Sequence, residues 1–352
     1  MKKIIATLGV LTLCATSAFA FSKKSLNTEF VLVPTMKSET TQQNRAWVGT
    51  FQLAWNDFQN YIIKKPVKFV GDERNNTVKD LNKQSFNEKM LSANSYYKTF
   101  GAISPKLKLD IETGIKKKFN ETSDILDMLD WTPDYNKYLV YTMLKKDFQF
   151  ENPFDKLDEG RFGKFQPRVQ YFGINGESDP VLRNNVKVLF YYDENDYAVE
   201  LKTKGKDVVY LYKTSKDKNF EKLYREMQLK TKAYVDTKEF GKKDELKVPD
   251  INLYKLQDYP ELTNKQIKGK SMYISNAMQT IDFKMNNEGV KLKSEAIIAT
   301  MRCSLEPEDT TKPRYFYFDD TFVLFLQETG KKQPYMALRV YDLDLINKTA
   351  KK

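Results

Sequence analysis

The chain has 352 residues, of which 41% are hydrophobic and 13% aromatic, which supports a packed core and argues against disorder. It contains no histidine and two cysteines, so a Ser-His-Asp or Cys-His relay is excluded, as is a His- or Cys-rich zinc site. The net charge of +11 comes from basic residues interspersed with acidic ones, which reads as a solubilising surface open to an acidic polymer but without the aromatic-and-basic pattern of a nucleic-acid groove.

At the amino end Lys2 and Lys3 precede an apolar run over residues 4–13, and Ala18-Phe19-Ala20 supplies small residues for cleavage. This predicts a secretory signal peptide over residues 1–20 and a secreted or periplasmic protein. Removing it leaves 352 − 20 = 332 residues and a net charge of 11 − 2 = +9. Cys14 leaves with the signal, so Cys303 stands alone and no intramolecular disulfide is expected. No later run is long and apolar enough to span a membrane. Residues 21–352 show no linker or repeat and read as one domain, expected as a monomer.

Within that domain Trp47, Phe51, Ala54, Phe58 and Ile62 fall at helical spacing and predict a core helix. A second stripe, Ile115, Phe119, Thr122, Ile125 and Leu129, predicts a helix ending before Trp131-Thr132-Pro133. From residue 137 the pattern changes to strands. Residues 138–144 form a nearly continuous apolar run, as expected for a strand covered on both faces. Strands are also predicted over 186–192, 197–201, 208–212, 246–253, 272–285, 316–327 and 335–340, with a helix over 220–227. Helices first and strands later predict an α+β fold.

Motif chemistry is sparse. Gly269-Lys270-Ser271 ends like a phosphate loop, but Asn264 stands where its first glycine belongs. Asp193-Glu194-Asn195-Asp196 lacks the central glycine and terminal glutamate of a calcium loop and reads as a hydrated turn. No catalytic residues, metal or cofactor are expected, and the chain does not read as an enzyme.

Several segments, in order, resemble the serpin superfamily. Met272-Tyr273-Ile274-Ser275-Asn276-Ala277 is similar to the family's LYVSxx strand, and Met285-Asn286-Asn287-Glu288-Gly289 to its VNEEG hinge. Residues 318–326 resemble FxADRPFLFFI. Thr329-Gly330 and residues 335–340 resemble TGxxLFMGRV. Residues 138–154, ending in Glu151-Asn152-Pro153-Phe154, resemble LVLVNAIYFKGxWxxPF. The helix containing Ile115 resembles the one that crosses the main sheet in that family.

The resemblance covers residues 115–343. It implies three mostly antiparallel β-sheets, eight to nine helices and an exposed loop over about 290–317. It further implies a protease inhibitor whose cleaved loop inserts into the main sheet, with a serine or cysteine protease as partner. The hinge would be Asn287, Glu288, Gly289, Val290, Lys291 and Leu292. The scissile region would fall at Met301, Arg302, Cys303 and Ser304, where Arg302 suits a trypsin-like pocket. Thr142 and Gln279 would form the polar cluster at the sheet gate, in place of the family's asparagine and histidine.

Insertion requires alternation, and residues 290–296 alternate: Val290, Leu292, Ser294 and Ala296 on one face, Lys291, Lys293 and Glu295 on the other. Burying Val290 and Leu292 would contribute about 1.5–3 kcal/mol each. The family's efficient inhibitors carry small residues here, whereas this chain has Lys291, Leu292 and Lys293. Two further readings therefore stay open: a non-inhibitory binding protein on the same fold, and an unrelated secreted α+β protein.

Overall fold

A computed structural model describes residues 29–123, 125–164, 168–291 and 312–348. The signal segment, Leu292 and the scissile region Met301–Ser304 lie outside them. The fold is α+β. Its core is a seven-stranded sheet with the order Val31–Leu32, Arg45–Val48, Met336–Val340, Phe322–Glu328, Asp207–Lys213, Asp196–Leu201 and Val186–Asp193. All neighbours are antiparallel except Val31–Leu32, which runs parallel to Arg45–Val48. Every residue of Phe322–Glu328 is buried, which explains its unbroken apolar run. Asn195 lies in the tight turn joining Val186–Asp193 to Asp196–Leu201, as its polarity predicts.

A second sheet has the order Tyr315–Tyr317, Glu245–Pro249, Arg168–Ile174 and Asp155–Arg161. A third, here the hinge sheet, has the order Ile251–Asp258, Met278–Asn286, Gly289–Lys291 and Asp147–Gln149. Tyr96–Ile103 and Asp134–Leu144 pair only with each other. The described residues thus form four sheets rather than three. The run over 138–154 divides because its first half pairs with Tyr96–Ile103 while Asp147–Gln149 turns away to pair with Gly289–Lys291.

The described residues hold six α- or π-type helices against the eight to nine expected: Thr50–Asp57, the π-turn Phe58–Ile63, Asn76–Leu81, Pro105–Phe119, Phe220–Ala233 and Leu343–Lys348. None is long and apolar enough to cross a membrane. Residues 88–95 and 126–128 manage only short 3-10 turns, too brief for an α-helical hydrogen-bond series.

Several boundaries correct the sequence reading. Trp47 belongs to a strand, paired with Ala337, and the helix starts after Gly49. The second helix starts at a Ser104 cap, whose hydroxyl accepts from the Leu107 amide at 3.2 Å, with Pro105 in its first turn. It ends at Asn120 in the left-handed region, leaving Thr122, Ile125 and Leu129 beyond it. Its buried stripe is Leu107, Ile111, Ile115 and Phe119. Gly114 lets this helix lie close on the strand pair, since a Cβ there would fall 2.4 Å from the Tyr97 hydroxyl. The stretches 246–253 and 316–327 each split into two strands in different sheets, and the strand expected over 272–285 begins at Met278.

Candidate functional site

The hinge is a tight turn. Asn286 pairs with Gly289 across it, and the Asn286 side chain accepts from the Glu288 amide at 3.0 Å, fixing the reversal locally. The chain then runs antiparallel to both neighbours: Val290 opposes Met285 on one side and Phe148 on the other. Gly289 is needed at this seam because a Cβ would sit 2.3 Å from the Phe148 carbonyl oxygen. The turn docks onto the segment that ends in Pro153-Phe154. Phe150 N donates to Glu288 O at 3.0 Å, Phe154 N to Asn287 O at 2.9 Å, and Asn287 Nδ2 to Phe154 O at 3.2 Å. Phe150 and Phe154, fully covered, pack edge-to-face beneath it.

The expected loop over 290–317 is therefore shorter at both ends, because Gly289–Lys291 and Tyr315–Tyr317 are held in ladders. Val290 is already fully buried, so its burial is not a gain left for insertion. Arg314 fixes the downstream end: its guanidinium donates to Asp244 at 2.6 Å and to the Thr237 carbonyl at 3.0 Å.

Below the hinge, no ladder joins Met278–Asn286 to Asp134–Leu144 among the described residues. Helix Thr50–Asp57 lies against both strands and bridges the seam from beneath. Gln279, buried on Met278–Asn286, donates to Thr50 Oγ1 at 2.6 Å and Val48 O at 3.1 Å and accepts from the Tyr259 hydroxyl at 2.8 Å. Burial pushes that phenol well above its usual range, so it stays a neutral donor. At the other end of the helix Lys98, on the strand pair, donates to Asp57 at 2.6 Å. Burial pushes the Asp57 carboxyl up, against the pull of Lys98.

Gln279 and Thr142 do not share a network. Gln279 is satisfied by the helix start and Tyr259, whereas the Thr142 hydroxyl is buried without a hydrogen-bond partner. Sequence reasoning misses Tyr259 and Thr50. Neither lies in a motif, and their contacts with Gln279 join positions 20 and 229 residues apart in the chain. Among the described residues, no group of three His, Cys, Asp or Glu side chains could hold a metal.

Two neighbouring ladders with a helix against both, and a hinge turn paired on both sides, define the arrangement. That fold is serpin-like. The chain superposes on maspin with a TM-score of 0.55 at 12% identity, over 84% of this chain and 91% of that one. A tumour-suppressing serpin gives 0.52 at 11% identity, over 85% and 92%. Serpin48, a highly specific serpin of the insect Tenebrio molitor, gives 0.47 at 13% identity, over 88% and 94%. No family model and no curated protein matches the sequence.

Proposed function

We propose that the chain is a secreted serpin-type inhibitor of serine or cysteine proteases, acting by insertion of its cleaved loop as a new strand between Met278–Asn286 and Asp134–Leu144. The observation that carries the reading is the position of Gly289–Lys291. These residues are paired on both sides, and below them no ladder joins Met278–Asn286 to Asp134–Leu144 among the described residues. Arg302, or Cys303 beside it, would meet the protease pocket, and residues 1–20 would direct export.

A second reading, a non-inhibitory binding scaffold, draws support from Gln279. Its bond to Thr50 ties one wall of the seam to the spacer helix Thr50–Asp57, its other two reach Val48 and Tyr259, and the bulky Lys291-Leu292-Lys293 run would slow insertion enough for a protease to finish hydrolysis.

Incubation with a protease panel decides between them. The inhibitor is expected to give an SDS-stable complex, and its cleaved form to melt higher by on the order of 10 °C, since each new ladder bond adds about 0.5–1.5 kcal/mol. Clean cleavage between residues 292 and 311, with full protease activity retained and an unchanged Tm, would sink the inhibitory reading.

A further inference from the structure

Helix Pro105–Phe119 ends at Asn120 in the left-handed region, and the chain then returns along the helix, where Asp127 meets Lys108 at 2.6 Å. Between the helix and the described residues of this return lies an open cleft of about 600 Å³, a volume within the range of small-molecule sites. Its floor is made by Ile115 and Leu126, both covered and both in the apolar cluster that also holds Ile111 and Tyr141. Thr113, Lys116 and Lys117 line it from the helix, and Thr122 and Ser123 from the return. The return is fixed at both ends, since Lys108 holds Asp127 and Lys145 holds Glu121 at 2.9 Å. Between those ends the Ser123 hydroxyl accepts from the Ile125 and Leu126 amides, each at 3.3 Å, and the Trp131 indole donates to the Leu126 carbonyl at 2.7 Å. A cleft braced in this way needs little ordering before a ligand enters.

The charges around it are unevenly matched. Its three carboxylates are served by lysines from outside the cleft: Glu121 by Lys145, and Asp127 and Glu112 by Lys108 at 2.6 and 3.6 Å. Lys116 and Lys117 are exposed and have no counter-ion among the described residues. Cations in a last turn complement the carbonyl end of a helix. That role is already filled by Lys145, whose Nζ donates to the Phe119 carbonyl at 3.0 Å. We propose that this cleft binds an amphiphilic anion, a carboxylate or sulfonate on an apolar body of medium length. The body would lie on Ile115 and Leu126, and Lys116 and Lys117 would hold the head group, with the Thr113 and Thr122 hydroxyls as further donors. The site is separate from the hinge and from the loop, so it stands apart from the protease reading.

Isothermal titration of the intact protein with decanoate tests it, with 1-decanol as the uncharged match. Decanoate is expected to bind at one site with a Kd below about 1 mM, the range open to a ligand of about twelve heavy atoms. Its binding should weaken as salt screens the lysines, whereas 1-decanol is expected to bind more weakly and without regard to salt. Lys116→Gln with Lys117→Gln is expected to weaken decanoate about tenfold and to leave 1-decanol unchanged. Thr113→Trp, also at an exposed position, fills the cleft and is expected to abolish the binding of both. The proposal fails if decanoate gives no saturable heat, if 1-decanol binds as tightly, or if both variants bind decanoate as the parent does. Sedimentation with phosphatidylglycerol vesicles, without binding of free decanoate, would overturn it in favour of a bilayer surface. A protein that forms no protease complex leaves these expectations unchanged.

Discussion

Asp250 sits where the chain leaves Glu245–Pro249 for Ile251–Asp258, between two different sheets. Burial pushes its carboxyl up to about 6, and Lys156 offsets only part of that shift. The raised value means the folded chain holds a proton at pH 5 that the unfolded chain has released. Stability contributed by this group is therefore present below about pH 4, falls as pH rises to about 6, and stays lowered above that. Asp250→Asn is expected to stabilise the protein at pH 7 by about 1 kcal/mol, allowing for screening at a partly open site. It should also flatten urea-derived stability between pH 4 and 6. Equal slopes for the two proteins would show that the charged form is not penalised there. No residue-level signal marks Asp250, because the sequence reads 246–253 as one strand and so places this carboxylate inside it rather than at a crossing between two sheets. Gln279 is legible by alignment with the family's gate, but its partners are not. Tyr259, Val48 and Thr50 reach it from 20 to 231 positions away in sequence.

The strand Met278–Asn286, laddered along its length to Ile251–Asp258, is joined by that same glutamine to the start of helix Thr50–Asp57. Gln279→Leu keeps the volume but leaves the buried Tyr259 hydroxyl without its acceptor, so a loss of about 1–3 kcal/mol is expected in urea unfolding at pH 7. With the strand freed from the spacer helix, loop insertion after cleavage is expected to speed up, measured as the rate at which the high-melting form appears. A slower rate would mean that the tie guides the incoming strand rather than restraining the seam. Elements are legible where their pairing is local or their periodicity strong. The sequence gives the right kind of element for the hairpin of Val186–Asp193 with Asp196–Leu201 and for the helix Phe220–Ala233, capped by Asn219 onto the Lys222 amide. Trp47 misleads because its spacing to Phe51 satisfies a helix, whereas its partner Ala337 lies 290 positions on (337 − 47) and outweighs local propensity. Residues 272–277 have strand-like composition but make only an isolated bridge, Gln266 with Tyr273, and single backbone bonds such as Ile267 N to Met272 O at 2.8 Å, while Met272, Ile274 and Ala277 pack on the satellite cluster around Phe69 and Tyr259.

At the scale of the whole molecule, the segment outside the described residues between 292 and 311 separates two parts that cannot easily part. Everything upstream includes Asp207–Lys213, and the downstream part includes Phe322–Glu328 and Met336–Val340. Phe322–Glu328 is paired with Asp207–Lys213 on one side and Met336–Val340 on the other, and Met336–Val340 is paired in turn with Arg45–Val48. Releasing the downstream fragment would strip strands from the middle of the largest sheet and expose side chains that are now covered, at about 25 cal/mol per Å² of apolar surface. A cut anywhere in 292–311 is therefore expected to yield one particle of unchanged size by gel filtration and two fragments only under denaturing conditions. The Arg314–Asp244 contact, made just beyond the cut, holds the new end in place. This outcome holds for inhibitor and scaffold alike, because it depends on the strand order and not on insertion. Loss of the short fragment in native buffer would contradict the central place of Phe322–Glu328 and with it the serpin-like order of the sheet. Retention with a raised Tm would add that strand pairing has been gained after the cut.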